Sequence, residues 1–491
     1  MHAFALSLIA YQVLILLYFL FLNGTYTAIS AYAFVFIKRS ARATPDQDQL
    51  DDLVTLSNLR PVSVIVPAYN EGLNIVATVR NLARLRYPEY EVLVVNDGSS
   101  DDTLEALRQA FELVPVDRPP KRLLSTEPVR QVLRSLKLPH VWVVDKDNGG
   151  KADALNAGLL YSSYPLFCAV DADSLLEDDA LLRMAHQFLL DRSLVAAGGA
   201  VRAINGCVVE DARITEVRAP RGVLANIQVA EYLRGFMAGR TAFAALDSLL
   251  IISGAFGVFR KDLVLAIGGF RKTVGEDMDL VLRLHRHCVE HELPYRVRYV
   301  PEPVCWTQVP DDLGSLLRQR NRWQRGLVDC IWHNRAMLFN PRFGKAGMLG
   351  MPYFLLVELL GPLIEFLGYF GFVVFLLFEM VNPLYAELFF LVSIVWGMWL
   401  NASAVMLDNF ALHRYGRIRD SYRIALLSSL EYFGYRQLVT VERLIGTFQV
   451  WRGHWGSPAR RSFQEREHEH EQGHEQRHEQ LRQIPRHEAT R

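Results

Sequence analysis

Two carboxylates two residues apart, Asp171 and Asp173, end a short apolar run, Leu166-Phe-Cys-Ala-Val. Read as a strand, Phe167 to Val170 is buried and Asp171 opens the loop at its carboxyl end, where open α/β sheets collect their ligands. Two hard oxygen ligands there, with few others from the protein, suit a divalent cation that also grips a diphosphate. An Asp-x-Asp pair is also common in ordinary turns, so its meaning depends on the elements that position it.

Those elements repeat. Pro61-Val-Ser-Val-Ile-Val-Pro-Ala-Tyr-Asn-Glu-Gly reads as a strand and loop, and Leu73 to Leu85 has helical periodicity. Glu91-Val-Leu-Val-Val-Asn-Asp-Gly-Ser-Ser is a second strand ending in Asp97, and Asp101 or Asp102 can cap a helix from Thr103 to Leu113. Val116 to Lys137 reads as an irregular basic insertion. A third strand, Val141-Trp-Val-Val, leads into Asn148-Gly-Gly-Lys and another helix. A helix amino terminus with a lysine beside it is an anion site. The spacing is not that of the Walker loop, and no Gly-x-Gly-x-x-Gly occurs. Strands alternating with helices predict a parallel sheet with helices on both faces.

The bulk numbers bound the rest. A chain of 491 residues holds two or three domains. Its hydrophobic fraction of 51% and formal net charge of zero hide strong segregation. Ala3 to Ile37 contains no Asp, Glu, Lys or Arg, and a second apolar region runs from Met348 to Leu407. The first exceeds the ~20 residues that span a bilayer and has no basic residue ahead of it, unlike a signal peptide. Asn23-Gly24-Thr25 allows either one tilted helix or a kinked one. Lys38, Arg39 and Arg42 place its far end in the cytoplasm by the positive-inside tendency. Pro352 to Leu377 and Tyr385 to Leu407 read as two further spans, with Glu358 and Glu365 in the first marking either a wet path or helix packing. Ile424 to Val450 is apolar but carries Glu431, Arg436, Glu442 and Arg443, and is expected to lie partly along the membrane interface. The five scattered cysteines fit core thiols in a reduced compartment. No basic excess points to nucleic acid.

Five motifs in order carry a resemblance. Val64-Ile-Val-Pro-Ala-Tyr-Asn-Glu, Val95-Asn-Asp-Gly-Ser-Ser-Asp, Gly150-Lys-Ala-Asp-Ala-Leu-Asn with Asp171-Ala-Asp, Gly275-Glu-Asp-Met-Asp, and Gln319-Arg-Asn-Arg-Trp resemble the "D, D, D, QxxRW" pattern of membrane-embedded family 2 glycosyltransferases. That branch includes cellulose, hyaluronan, chitin and poly-N-acetylglucosamine synthases. The resemblance implies an α/β GT-A domain inserted between amino- and carboxyl-terminal transmembrane helices. The expected division is a transmembrane segment at 1–37, a polar linker at 38–59, a cytoplasmic GT-A domain at 60–310, and amphipathic interface helices at 311–347. Transmembrane and interface helices follow at 348–456, then a disordered polar tail at 457–491, which leaves no length for an appended cyclic-di-GMP-binding barrel.

The resemblance also implies roles. Asp173 would hold Mg²⁺ or Mn²⁺ on the donor diphosphate, and Asp171 would lie beside the ribose or the metal. Asp97 would lie near the uridine, and Glu71, Gln319 and Arg322 would join the donor site. Lys151 is either a charge at the nucleotide or a solvated helix-start lysine. Asp277 would be the base that takes the acceptor's proton, although Glu276, Asp277 and Asp279 together also complement a helix dipole. Trp323 would form the floor under the acceptor sugar, since an indole stacks on a sugar's CH face. The arginines around it equally suit an interfacial helix. Ser253 and Gly254 would contact the acceptor, although Leu250-Ile-Ile replaces the family's Phe-Phe-Cys before Gly-Ser. The expected function is inverting transfer of a hexose or N-acetylhexosamine from a UDP-sugar to a growing polysaccharide. The protein would sit in the inner (plasma) membrane, with the bilayer and unidentified export proteins as partners. The alternatives are a single addition to a lipid acceptor, or an idle export or receptor partner that keeps the fold.

Overall fold

In the Val62–Ala68 strand, Val62, Val64 and Val66 enter one apolar core and Ile65 the opposite one. Successive side chains of a strand point to opposite faces, and here both faces are covered. Cys168 and Val170 divide from Phe167 and Ala169 in the same way. The computed structural model describes residues 2–40, 47–55, 59–121, 124–412 and 414–450. Its main sheet has ten strands, in the order Leu113–Pro115, Val129–Ser135, Val141–Lys146, Tyr90–Asp97, Val62–Ala68, Leu166–Val170, Phe256–Arg260, Leu194–Ala203, Arg296–Thr307 and Ser174–Leu176.

The four strands from Val141–Lys146 to Leu166–Val170 are parallel. The sheet as a whole is mixed, which corrects the expectation of a purely parallel one. Phe256–Arg260 runs antiparallel to both of its neighbours. Part of the supposed irregular insertion, Val129–Ser135, is a strand antiparallel to Val141–Lys146. Short buried runs read alike in either direction, and only the chain connection sets their sense. The parallel register aligns the carboxyl ends that matter: Ala68 lies opposite Asn96, and Asp97 opposite Lys146.

The stretch read as a polar linker contains a helix, Gln47–Thr55, whose Leu50 and Leu53 are buried. That helix packs on the Ala180–Leu190 helix. Residues 41–46, 56–58 and the 457–491 tail lie outside the described residues. All five cysteines are buried and unbridged.

The first helix, His2–Ser40, runs unbroken through Asn23-Gly24. Asn23 Nδ2 donates to the Val392 carbonyl at 2.6 Å, and Trp396 Nε1 donates to Thr27 Oγ1 at 3.0 Å. These polar side chains therefore fasten helix to helix. Among the described residues three segments, Leu6–Arg39, Ala346–Leu377 and Pro383–Phe410, are long and apolar enough to cross a membrane. Beyond them the chain forms two shorter helices, Ile418–Ser428 and Tyr435–Phe448. The second packs along both Leu313–His333 and Gly361–Leu377.

Candidate active site

The carboxyl edge of the parallel strands supplies the first set of groups. Register puts Lys146 beside Asp97, and its Nζ lies 2.6 Å from the Asp97 carboxylate with the lysine side chain fully buried. The glycine loop that follows turns its amides the same way, so Gly149 N and Gly150 N donate to Asp97 at 3.1 and 2.7 Å. Asp97 thus organises the loop that starts the Lys151–Tyr161 helix. Glu71 is buried nearby, with its backbone N–H donating to Thr103 Oγ1 at 2.8 Å.

Lys151 opens that helix and reaches across to the next strand end. Its Nζ lies 2.7 Å from Asp171 and 3.3 Å from Glu276. Burial works against the ammonium, but Asp171 and Glu276 outweigh it and raise its proton affinity above that of an ordinary lysine. The alternative of a solvated helix-start lysine is thereby set aside. Asp173 faces the same space. Burial, and then the neighbouring Asp171 charge, push its carboxyl up to about 7, against the pull of Lys151 and Arg322. Two carboxylates at the end of one strand, with Lys151 on the Asp171 side, are chemically suited to a divalent cation at Asp173. Among the described residues no cluster of three or more His, Cys, Asp or Glu offers a complete ligand set. A cation held by Asp173 and Asp171 would therefore take its remaining ligands from a substrate's oxygens and water.

The Glu276–Glu290 helix sorts its three leading acids by their partners. Asp279 is buried between Arg271 and Arg283, at 3.0 and 2.7 Å. Glu276 is buried against Lys151, and burial raises its carboxyl above the ordinary range. Asp277 faces the cavity, and among the described residues its hydrogen bonds come from backbone amides, Met278 N at 2.8 Å and Gly254 N at 3.4 Å. A side chain at 254 would bring its Cβ within 2.9 Å of Lys151 Nζ, so glycine there keeps the lysine and Asp277 adjacent.

Gln319, Arg322 and Trp323 share one face of the Leu313–His333 helix, whose amino terminus is capped by Asp312 accepting from Ser315 N. Backbone contact locks this helix beside Asp277. A Cβ at Gly326 would lie 3.0 Å from the Gly275 backbone, and one at Gly275 would lie 2.9 Å from Cys330 Sγ. Behind the helix, Asn321 donates to Glu442 at 2.8 Å and Gln324 to Thr447 at 3.1 Å. The Trp323 indole is 38% exposed. The Arg320 guanidinium lies 4.3 Å from its ring and the Phe236 ring 6.1 Å from it. Arg320 is held by Glu231 at 2.5 Å.

A cavity of about 690 Å³ gathers these groups. Lys151, Asp171, Asp173, Ser253, Gly254, Asp277, Gln319, Arg322 and Trp323 all line it. Glu71 and Asp97 are not among its lining residues; Asp97 instead holds the glycine loop that leads into Lys151. The cavity continues to Tyr26 and Ser30 on the first apolar helix and to Glu358 and Glu365 on the second. Glu358 pairs with Arg443 at 3.3 Å and Glu365 with Arg436 at 2.6 Å. These carboxylates therefore fasten helices and face the cavity at once. Lys146, the pairing of Glu276 with Lys151 and the Gly275–Gly326 contact were missed from sequence. Only Lys146 left a usable trace, because it sits one strand-end away from Asp97.

A mixed α/β sheet with acids, an anion loop and an aryl-floored cavity at its carboxyl edge is the layout of a GT-A-type sugar-transferase domain. A family model described as "Glycosyltransferase like family 2" matches residues 60–326, and the chain belongs to that family. It is similar to the poly-beta-1,6-N-acetyl-D-glucosamine synthase of Staphylococcus aureus (strain COL), 27% identical over 315 residues, 63% of this chain and 64% of that one. The namesake from Staphylococcus epidermidis is 28% identical over 268 residues, 54% of each chain. The S. aureus match thus spans just under two thirds of the relative's length. Among solved structures, a mannosyltransferase from Pyrobaculum calidifontis in complex with GDP-Man and Mn²⁺ aligns over 88% of this chain and 100% of its own, with 17% identity and a TM-score of 0.46. S. aureus TarS 1–349 in complex with UDP-GlcNAc aligns over 77% and 92%, with 17% identity and a TM-score of 0.36.

Proposed function

We propose that this chain transfers a hexose or N-acetylhexosamine from a UDP-sugar to the end of a growing β-linked polysaccharide, with inversion at the anomeric carbon. The observation that supports this best is the single cavity that joins Asp173 and Lys151 to Asp277 and Trp323 and runs on among apolar helices. N-acetylglucosamine is the first donor to test, because both relatives are named for polymerising it.

In this reading Asp277 accepts the proton of the acceptor hydroxyl. The freed oxygen bonds to the anomeric carbon as the carbon–oxygen bond to UDP breaks, and UDP leaves with that electron pair. Lys151 and Arg322 counter the charge that develops on the diphosphate, and Gln319 orients it. Asp173 and Asp171 would hold a Mg²⁺ or Mn²⁺ ion, which would supply further positive charge to the leaving group. Trp323 covers the apolar face of the acceptor sugar, and with Phe236 keeps bulk water from the anomeric carbon. Ser253 and Gly254 flank the acceptor opposite Trp323. Asp97 and Glu71 act by holding the loops around the nucleotide. The three apolar helices cross the plasma membrane, and Lys38 and Arg39 at the end of the first keep the transferase domain cytoplasmic.

Purified full-length protein, given a panel of labelled UDP-sugars with Mn²⁺ or Mg²⁺, is expected to yield products of rising length by mass spectrometry. Products carrying one sugar on a lipid would replace the polymerase reading with single addition. No turnover with any donor, together with no UDP binding, would remove the enzyme reading.

A further inference from the structure

Among the described residues, four arginines that line the cavity are held in acidic pairs. Arg234 pairs with Glu431 at 3.1 Å, Arg320 with Glu231 at 2.5 Å, Arg436 with Glu365 at 2.6 Å, and Arg443 with Glu358 at 3.3 Å. Arg240 lines the same cavity and is 6% exposed. Among the described residues it has neither a carboxylate at ion-pair distance nor a hydrogen-bond acceptor. Its guanidinium carbon lies 4.0 Å from the Phe236 ring centre.

An uncompensated buried guanidinium is unfavourable, and proteins retain one where a ligand completes it. Burial lowers the proton affinity of Arg240, while Tyr299, Asp277 and Tyr232 act in the opposite direction. The group stays charged throughout, since an arginine does not deprotonate in proteins. What it lacks is oxygen to receive its five N–H donors.

The position of Arg240 narrows the ligand. The diphosphate end of the cavity already holds Lys151 and Arg322, and the Asp171–Asp173 pair is suited to a cation. Arg240 stands instead on the aromatic side, because Phe236 contacts it on one side and approaches Trp323 at 6.1 Å on the other. Asp277 is close enough for its charge to act on Arg240. A sugar bounded by Trp323 and Phe236 would thus have aromatic rings against its CH face and the guanidinium fork at its oxygen-bearing edge.

We propose that Arg240 binds the acceptor sugar through its hydroxyl or acetamide carbonyl oxygens and so helps to decide which saccharide the enzyme extends. This rests on the reading of the cavity as a glycosyl-transfer site. No part of the donor is assigned to Arg240.

The test uses full-length protein in detergent, UDP-GlcNAc or whichever UDP-sugar the wild type turns over, and short β-linked oligosaccharide primers of the same sugar. Three quantities are read: UDP affinity by calorimetry, transfer to primer, and hydrolysis of the donor by water, which releases free sugar, UDP and a proton. For Arg240→Gln, UDP affinity and hydrolysis are expected to stay within about twofold. The primer concentration for half-maximal transfer is expected to rise about tenfold or more, the scale of a lost charge-assisted hydrogen bond. Arg240→Lys, which keeps the charge but loses the fork, is expected to show a smaller primer defect with UDP affinity intact. This variant also reads out the proposal if the glutamine variant does not fold. A loss of UDP affinity equal to the loss of transfer would overturn the proposal and move Arg240 to the donor site. An unchanged primer dependence with a displaced acid limb of the rate–pH profile would also overturn it, making Arg240 a partner of Asp277. Wild-type protein that neither binds UDP nor releases it from a UDP-sugar would overturn the transferase reading together with this one; an active wild type with an unaffected Arg240→Gln variant would overturn this one alone.

Discussion

Lys151 Nζ lies 2.7 Å from an Asp171 carboxylate oxygen, across the gap between a helix start and a strand end. Its second contact, Glu276 at 3.3 Å, ties the same ammonium to the helix that carries Asp277. One lysine therefore neutralises acids from two separate elements at the end of the cavity proposed to hold the donor. Replacing it with glutamine leaves those acids facing each other and removes a charge from the diphosphate. Lys151→Gln is expected to weaken UDP binding by about 10- to 100-fold, the range of a lost charged hydrogen bond. Calorimetry with UDP and Mn²⁺ measures this, and unchanged affinity would return Lys151 to a purely structural role.

The raised carboxyl of Asp173 gives a pH dependence with a definite sign. Its folded-state pKa, about 7, lies above the ordinary carboxylate value, so the cation-free folded protein holds a proton that the unfolded chain releases. As pH rises from the ordinary range toward 7, this group therefore destabilises the cation-free fold, by at most ~1.4 kcal/mol per pH unit. In chelator, Asp173→Asn is expected to melt above the wild type at pH 8 and level with it near pH 4. Cation binding should weaken as pH falls below 7, with proton release on binding. Calorimetry in buffers of different ionisation heat checks the last point.

Among the described residues Asp277 is hydrogen-bonded by backbone amides and faces the cavity, where in the proposed reaction it takes the acceptor's proton. Asp277→Asn keeps that shape and removes the basicity. Transfer is expected to fall by about 10² to 10⁴, the usual contribution of a general base, with UDP affinity within a factor of two. Retention of full transfer would take the role away from Asp277.

The contact between Gly275 and Gly326 is backbone on backbone, and a methyl group at 326 would sit 3.0 Å from the opposite chain. Neither side can yield as a flexible side chain would. Gly326→Ala is expected to destabilise by about 1–3 kcal/mol, the scale of overpacking. It should also lower transfer more than UDP binding, since the Trp323 face shifts relative to Asp277. Thermal unfolding and steady-state rates on one preparation separate the two effects.

Trp323 has Arg320 and Phe236 against it and remains partly open to the cavity. Trp323→Ala is expected to raise the primer requirement while leaving UDP binding nearly unchanged, and Trp323→Phe to recover part of the loss. An equal loss of both would place the indole at the donor instead.

Much of this site is local in the sequence and was legible there. Asp171 and Asp173 follow a run of five buried residues, Lys151 follows two glycines, and Gln319, Arg322 and Trp323 fall at helical spacing. Each pattern reflects a single element, and an element's own periodicity sets which side chains travel together. The apolar helices were legible for the same reason, because a span needs only length and composition.

What remained for the tertiary structure was every choice that depends on a partner from elsewhere in the chain. Three acids head the Glu276–Glu290 helix, and nothing local ranks them. Arg271 and Arg283 take Asp279, Lys151 takes Glu276, and Asp277 is left to the cavity. The sense of Phe256–Arg260 and the strand hidden in the basic insertion depended on neighbours in the sheet. Asp97, with the strongest motif around it, holds the glycine loop, since register places Lys146 and two glycine amides on its carboxylate. Arg240 carries no motif, and its want of a partner exists only once the chain is packed. Sequence periodicity determined which residues share an element; long-range pairing of charge and backbone decided which of them face the ligand.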